Sequence, residues 1–170
     1  MILYHGSNLE IATIDLEKCK PFKDFGKGFY LTSIDAQARE MAYHTTRIYG
    51  GTPTVTEYEF DESILTSGDF NVRQFPEIPT VEWAVFIHNN RWRDNKDISS
   101  LECNRDAKYD IVIGPVADDK VALTIRLYMR HVIDLEGLKS QLTYRKLTNQ
   151  YSFHTQEAIS KLKKVGVCNV

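Results

Sequence analysis

Two short segments concentrate groups able to do chemistry. The first is Tyr4-His5-Gly6-Ser7, where an imidazole able to donate or accept stands beside a glycine whose bare backbone can approach a ligand. The second is Phe25-Gly26-Lys27-Gly28-Phe29-Tyr30-Leu31-Thr32. Its Gly-x-Gly lacks the spaced glycine and the Lys-Ser/Thr pair of a phosphate-binding P-loop. It also precedes a strand instead of opening a helix, so it is not a dinucleotide fingerprint. What it supplies is a loop that delivers Tyr30, whose ring can lie flat against a planar ligand. Taken singly, each segment has an ordinary explanation: a hydrogen-bonded histidine at a strand end, and aromatics alternating between core and surface.

The remaining candidates carry less. Glu57 and Glu59 alternate along a strand as a solvated face. Asp118 and Asp119 read as a helix N-cap followed by a first-turn acid, and Glu157 as another first-turn acid. Asn90-Arg91-Trp92-Arg93 offers charge and a stacking ring suited to phosphate or nucleic acid, but it equally suits the polar end of an amphipathic helix. Lys161, Lys163 and Lys164 suit a helix C-terminus. Cys19, Cys103 and Cys168 are far apart and odd in number, which argues against a disulfide framework or zinc ribbon and for reduced thiols.

The elements that must position these groups follow from periodicity and punctuation. Strands are predicted over 2–5, 29–32, 55–60, 110–116, 150–154 and 165–170, the fourth a buried run stopped by Gly114-Pro115. Apolar positions Ile34, Ala38, Met41, Ala42, Thr45 and Ile48 recur at helical steps, predicting a helix capped by Thr32 or Ser33 and ended by Gly50-Gly51. Further helices are expected over 81–90, from Asp118 through Met129, over 134–142, and over 155–164 with Thr155 as cap. Strands do not alternate strictly with crossover helices, which favours α+β over a doubly wound sheet.

With 170 residues, 42% hydrophobic and 26% charged, and no linker-like tract, the chain is expected to form one domain over 1–170. Its formal net charge of −2 excludes a globally basic nucleic-acid binder while leaving room for a local basic groove. There is no apolar run of membrane-spanning length and no basic, apolar leader after Met1, so a cytoplasmic protein without membrane contact is expected.

Together, the two opening segments resemble the first two motifs of the diphtheria-toxin-like and poly(ADP-ribose) polymerase-like ADP-ribosyltransferases: a His-Gly-Ser and a Gly-Lys-Gly-hydrophobic-Tyr. In third place, Asn149-Gln150-Tyr151-Ser152-Phe153 stands where that superfamily has Asn-Glu-Tyr followed by two hydrophobic residues. The chain is also similar to a bacterial domain family of unknown function found in toxin-antitoxin loci, which shares this layout and an Asp-Ile-Val-x-Gly-Pro-like segment, here 110–115.

The resemblance implies an ADP-ribosyltransferase-like split β-sheet core with flanking helices and an NAD cleft between the sheets. NAD would be the co-substrate, with no metal. His5 would hydrogen-bond the adenosine-side ribose, the Gly6 backbone would hold the nicotinamide amide with help from Ser7, and Tyr30 would stack on the nicotinamide ring. Gly26 and Gly28 would border the pocket. The superfamily's second stacking tyrosine, eleven residues after the first, is here Met41, with Tyr43 as a possible substitute two residues on. Gln150 stands where the family's Glu holds the nicotinamide ribose and stabilises positive charge as the glycosidic bond breaks. An amide retains the hydrogen bond without the charge, and loss of such a charge commonly costs about tenfold in rate per 1.4 kcal/mol. The expected activity is therefore mono-ADP-ribosylation of a protein, nucleic acid or small-molecule acceptor by a bacterial toxin-type effector with a cognate antitoxin. A weak NAD glycohydrolase or a catalytically silent NAD-binding or partner-binding module is the alternative.

Overall fold

The computed structural model describes residues 1–94, 96–99, 101–143 and 148–170. Its strands form where β-branched and aromatic residues cluster between turn residues: β1 (Ile2–Ser7), β2 (Phe29–Thr32), β3 (Thr54–Glu59), β4 (Val72–Gln74), β5 (Ile111–Pro115), β6 (Asn149–Phe153) and β7 (Lys163–Asn169). Helices α1 (Asp35–Tyr49), α2 (Val81–Arg91), α3 (Asp119–Met129), α4 (Leu135–Thr143) and α5 (Gln156–Ile159) complete an α+β architecture. Among the described residues the seven strands join one sheet in the order β4-β5-β6-β2-β1-β3-β7, antiparallel except for the β4–β5 pair. Among the described residues no helix is long and apolar enough to cross a membrane.

β5 is buried along its whole length because both sheet faces are covered. Val112 turns toward a cluster with Phe25, Trp83, Phe86, Val121 and Leu138, which brings in α2, α3 and α4. Ile111 and Ile113 turn toward Leu3, Phe29, Phe60 and Phe153 on the other face. This is the period-two alternation of a strand with a core on each side. A third, smaller cluster seats Ala38 and Ala42 of α1 on Val55 of β3. Here α1 comes so close to β1 that a Cβ on Gly6 would lie 1.8 Å from the Ala38 carbonyl oxygen.

Asp118 caps α3 as its sequence position predicts, accepting from the Val121 amide at 2.7 Å. Asp118→Ala removes this cap and should cost at least ~1 kcal/mol in urea denaturation. Thr155 likewise caps α5. Other expectations change. The N-cap of α1 is Ile34, which makes no side-chain cap, while Thr32 Oγ1 accepts from the Ile34 amide. The helix expected over 155–164 ends at Ile159, because Lys163 and Lys164 belong to β7. Those two lysines therefore serve no helix dipole: Lys163 pairs with Glu59 at 3.2 Å and Lys164 with Glu10 at 2.7 Å.

The feature that matters most for a site is the junction of β1 and β2. They meet at a single register pair, Tyr4↔Thr32, whereas β1 pairs with β3 over six residues. Beyond that pair the two strands part, leaving His5–Ser7 of β1 without a ladder to Phe29–Leu31 of β2. One leaf of the sheet is thus β4-β5-β6-β2 and the other β1-β3-β7.

Candidate functional site

Where the ladder stops, a side chain takes over. His5, half-buried, directs Nδ1 to the Tyr30 carbonyl at 2.8 Å and stacks on Phe29 with ring centroids 4.4 Å apart. A carbonyl only accepts, so Nδ1 carries the proton and a neutral ring keeps Nε2 as an acceptor. Burial lowers the His5 pKa, against a smaller opposing effect of the Tyr30 carbonyl, and favours that neutral form.

Tyr30 is anchored at its far end. Its hydroxyl donates to the Gly26 carbonyl at 2.7 Å and accepts from the Phe25 amide at 3.0 Å. Burial raises its pKa well above the ordinary tyrosine value, so the phenol stays a donor. Its ring lies edge-on to His154, at 6.2 Å. The register pairs Tyr30↔Ser152 and Thr32↔Gln150 set Tyr30 and Gln150 on one face of adjacent strands. Tyr4 shares that face through Thr32, so His5 belongs to the opposite pleat and reaches Tyr30 through its main chain.

Gln150 does not stand alone. Its Nε2 donates to Asp24 Oδ2 at 2.9 Å and lies 3.5 Å from the Pro115 carbonyl. Asp24 is buried, and its other oxygen takes Arg91, from Nε at 2.9 Å and from Nη2. The Ala117 amide donates to Oδ2 at 3.1 Å, while Arg91 Nη2 also reaches the Ala117 carbonyl at 3.2 Å. Four elements meet here: the loop before β2, the end of α2, the β5–α3 connection and the start of β6. Asp24 does not stand out in the sequence as a site residue, and Arg91 does so only within Asn90-Arg91-Trp92-Arg93, as a phosphate or nucleic-acid contact and not as a partner of Asp24. The available signals were an acid directly before Phe25-Gly26 in a lysine-rich loop, and an arginine that closes a helix whose polar end needed no ligand.

The glycine-rich loop approaches protein closely. A Cβ on Gly28 would fall 2.6 Å from the His154 ring, and one on Gly26, where φ is +92°, would fall 2.5 Å from the Asn104 carbonyl oxygen. Ser7 is buried and donates to the Leu9 carbonyl. Tyr43 sits elsewhere, half-exposed on α1 beside Glu40, His44 and Arg47, and among the described residues no ring contact joins it to Tyr30. A second pair, Ser152 Oγ and His154 Nε2 at 2.8 Å, has the spacing of a nucleophile and base. Both residues are buried in the sheet, which denies that pair a substrate.

These features define an α+β protein whose single sheet is parted between two central strands, with a histidine bridging the gap and an aspartate-braced glutamine beside it. The chain belongs to the family described as Protein of unknown function (DUF3990), whose model matches residues 1–164 and so takes in every residue of this site. A search of curated proteins finds none that matches.

Proposed function

We propose that the protein is an NAD-dependent mono-ADP-ribosyltransferase whose cleft is the gap between β1 and β2. One observation chiefly supports this reading: β1 carries the His-Gly-Ser, the Gly-Lys-Gly loop runs directly into Phe29-Tyr30 of β2 across the parting, and Gln150 lies on the strand next to Tyr30. In this reading the unpaired edge of β1 at His5–Ser7 offers backbone groups to the nicotinamide amide, His5 Nε2 accepts from a ribose hydroxyl, and Tyr30 supports the nicotinamide ring. The bond between the ribose C1′ and the nicotinamide nitrogen breaks, its electron pair leaves with nicotinamide, and an acceptor lone pair forms the new bond while its proton passes to solvent. The resemblance extends the proposal to a bacterial toxin-type effector restrained by a cognate antitoxin.

Calorimetric titration with NAD, joined to assay of free nicotinamide after incubation with bacterial lysate, tests this. NAD binding and nicotinamide release are expected, and His5→Ala should weaken binding at least about tenfold. Absence of both binding and release in the folded wild type would end the proposal. A second reading, a silent NAD-binding module, draws on the uncharged amide at position 150. It predicts binding with no transfer of label from NAD to any lysate component.

A further inference from the structure

We infer that Asp24, held by Arg91, is a positioning residue that fixes the Gln150 amide with its nitrogen on Asp24 and its carbonyl oxygen turned away from it, so that the site takes a ligand hydroxyl at that point. The inference rests on the NAD reading for the identity of the ligand and on hydrogen-bond chemistry for the rest.

A glutamine amide has a donor end and an acceptor end, and its neighbours decide which is presented. Gln150 Nε2 faces two groups that only accept, Asp24 Oδ2 at 2.9 Å and the Pro115 carbonyl at 3.5 Å. Turning the amide over would set Oε1 against both oxygens. Asp24 itself cannot turn away. Its Oδ1 is taken by the Arg91 Nε and Nη2, and its Oδ2 by the Ala117 amide as well as by Gln150. Gln150 is half-buried, and among the described residues nothing donates to its Oε1. That oxygen is the part of the network left to a ligand, and it calls for a donor.

The same geometry separates orientation from charge. The Arg91 guanidinium compensates the Asp24 carboxylate directly, so Asp24 supplies direction to Gln150 and not a surrogate negative charge. It also explains why position 150 carries an amide. A glutamate there would bring a second carboxylate to the 2.9 Å now spanned by a hydrogen bond. Asp24 and Gln150 are a matched acceptor and donor, and restoring the acid at 150 requires exchanging the pair.

The test uses the full chain as wild type, Asp24→Asn, Gln150→Glu, Gln150→Met and the double variant Asp24→Asn/Gln150→Glu. The first readout is the Gln150 side-chain amide in proton–nitrogen NMR, assigned by its loss in Gln150→Met. In the wild type it should be shifted downfield and protected from solvent exchange, and in Asp24→Asn it should lose both properties. The second is calorimetry with NAD. Affinity should fall at least about tenfold in Asp24→Asn and in Gln150→Met, and return to within about threefold of wild type in the double variant but not in Gln150→Glu. A rapidly exchanging, unshifted amide in the wild type overturns the inference, whichever variants fold. So does an Asp24→Asn protein that binds NAD as wild type does. If no form binds NAD while the amide is protected and depends on Asp24, the NAD reading fails and the locked orientation stands.

Discussion

Gly6→Ala should destabilise the protein by more than ~3 kcal/mol, enough to remove much of a typical domain's 5–15 kcal/mol. The added methyl would lie 1.8 Å from the Ala38 carbonyl oxygen, 2.7 Å from its carbon and 2.9 Å from the Ala42 amide nitrogen. All three are backbone atoms of α1, so no side chain can swing aside. Relief requires the helix to lift from β1, which unpacks Ala38, Ala42 and Val55 together. Lifting α1 also pulls on the Gln37 side chain, which bridges Thr148 and Thr32, the latter in register with Gln150. Urea denaturation followed by circular dichroism measures the loss. A variant within ~0.5 kcal/mol of wild type would mean that α1 moves off β1 at little cost. The glycine of the His-Gly-Ser motif thus has a packing reason of its own, independent of any ligand.

Stability should also fall by about 3 kcal/mol as the solution is acidified from pH 7 to 4, through one histidine in addition to the usual carboxylate effects. His154 is 5% exposed, with Nδ1 donating to the Lys27 carbonyl at 2.8 Å and Nε2 facing Ser152. Burial pushes its pKa down from 6.5 to about 4, outweighing the Lys27 carbonyl and Asp110, which act the other way. The folded value lies below the unfolded one. The unfolded chain therefore binds the proton first, and stability present above about pH 6.5 is lost as pH falls toward 4. His5, shifted in the same direction, adds to the slope. Urea midpoints across this range should fall less steeply for His154→Asn, which keeps a donor toward Lys27. Equal slopes in the two proteins would show that His154 is not the group responsible. Because His154 lies under Gly28 and edge-on to Tyr30, its protonation would act on the glycine loop beside the site.

Much of the fold is legible in the sequence, for identifiable reasons. The stripe from Ile34 to Ile48, the Gly50 stop, the buried run before Gly114-Pro115 and the Asp118 cap are local signals, and α1, β5 and α3 form where they point. β4 is missed because three residues, Val72–Gln74, are too few to show alternation; only their pairing with β5 makes them a strand. The last helix is overextended because Lys163 and Lys164 suit a helix end as well as an edge strand, and their partners Glu59 and Glu10 are more than a hundred residues away. The same limit governs the site. His5, Tyr30 and Gln150 are visible as motif positions, while Asp24 lies 67 residues from Arg91 and 126 from Gln150 and becomes meaningful only after folding.

The lightly joined seam between β1 and β2 has a mechanical meaning. Elsewhere in the sheet, shearing two strands apart breaks a run of ladder bonds together. At the seam it breaks one register pair and the His5–Tyr30 bond, and the rest of the resistance there is side-chain packing, with Leu3 and Phe60 on one side set against Phe29 and Phe153 on the other. Backbone resistance to spreading the two leaves is therefore lowest along that line, and a molecule lodged there would act as a wedge that works against the core and not against a ladder.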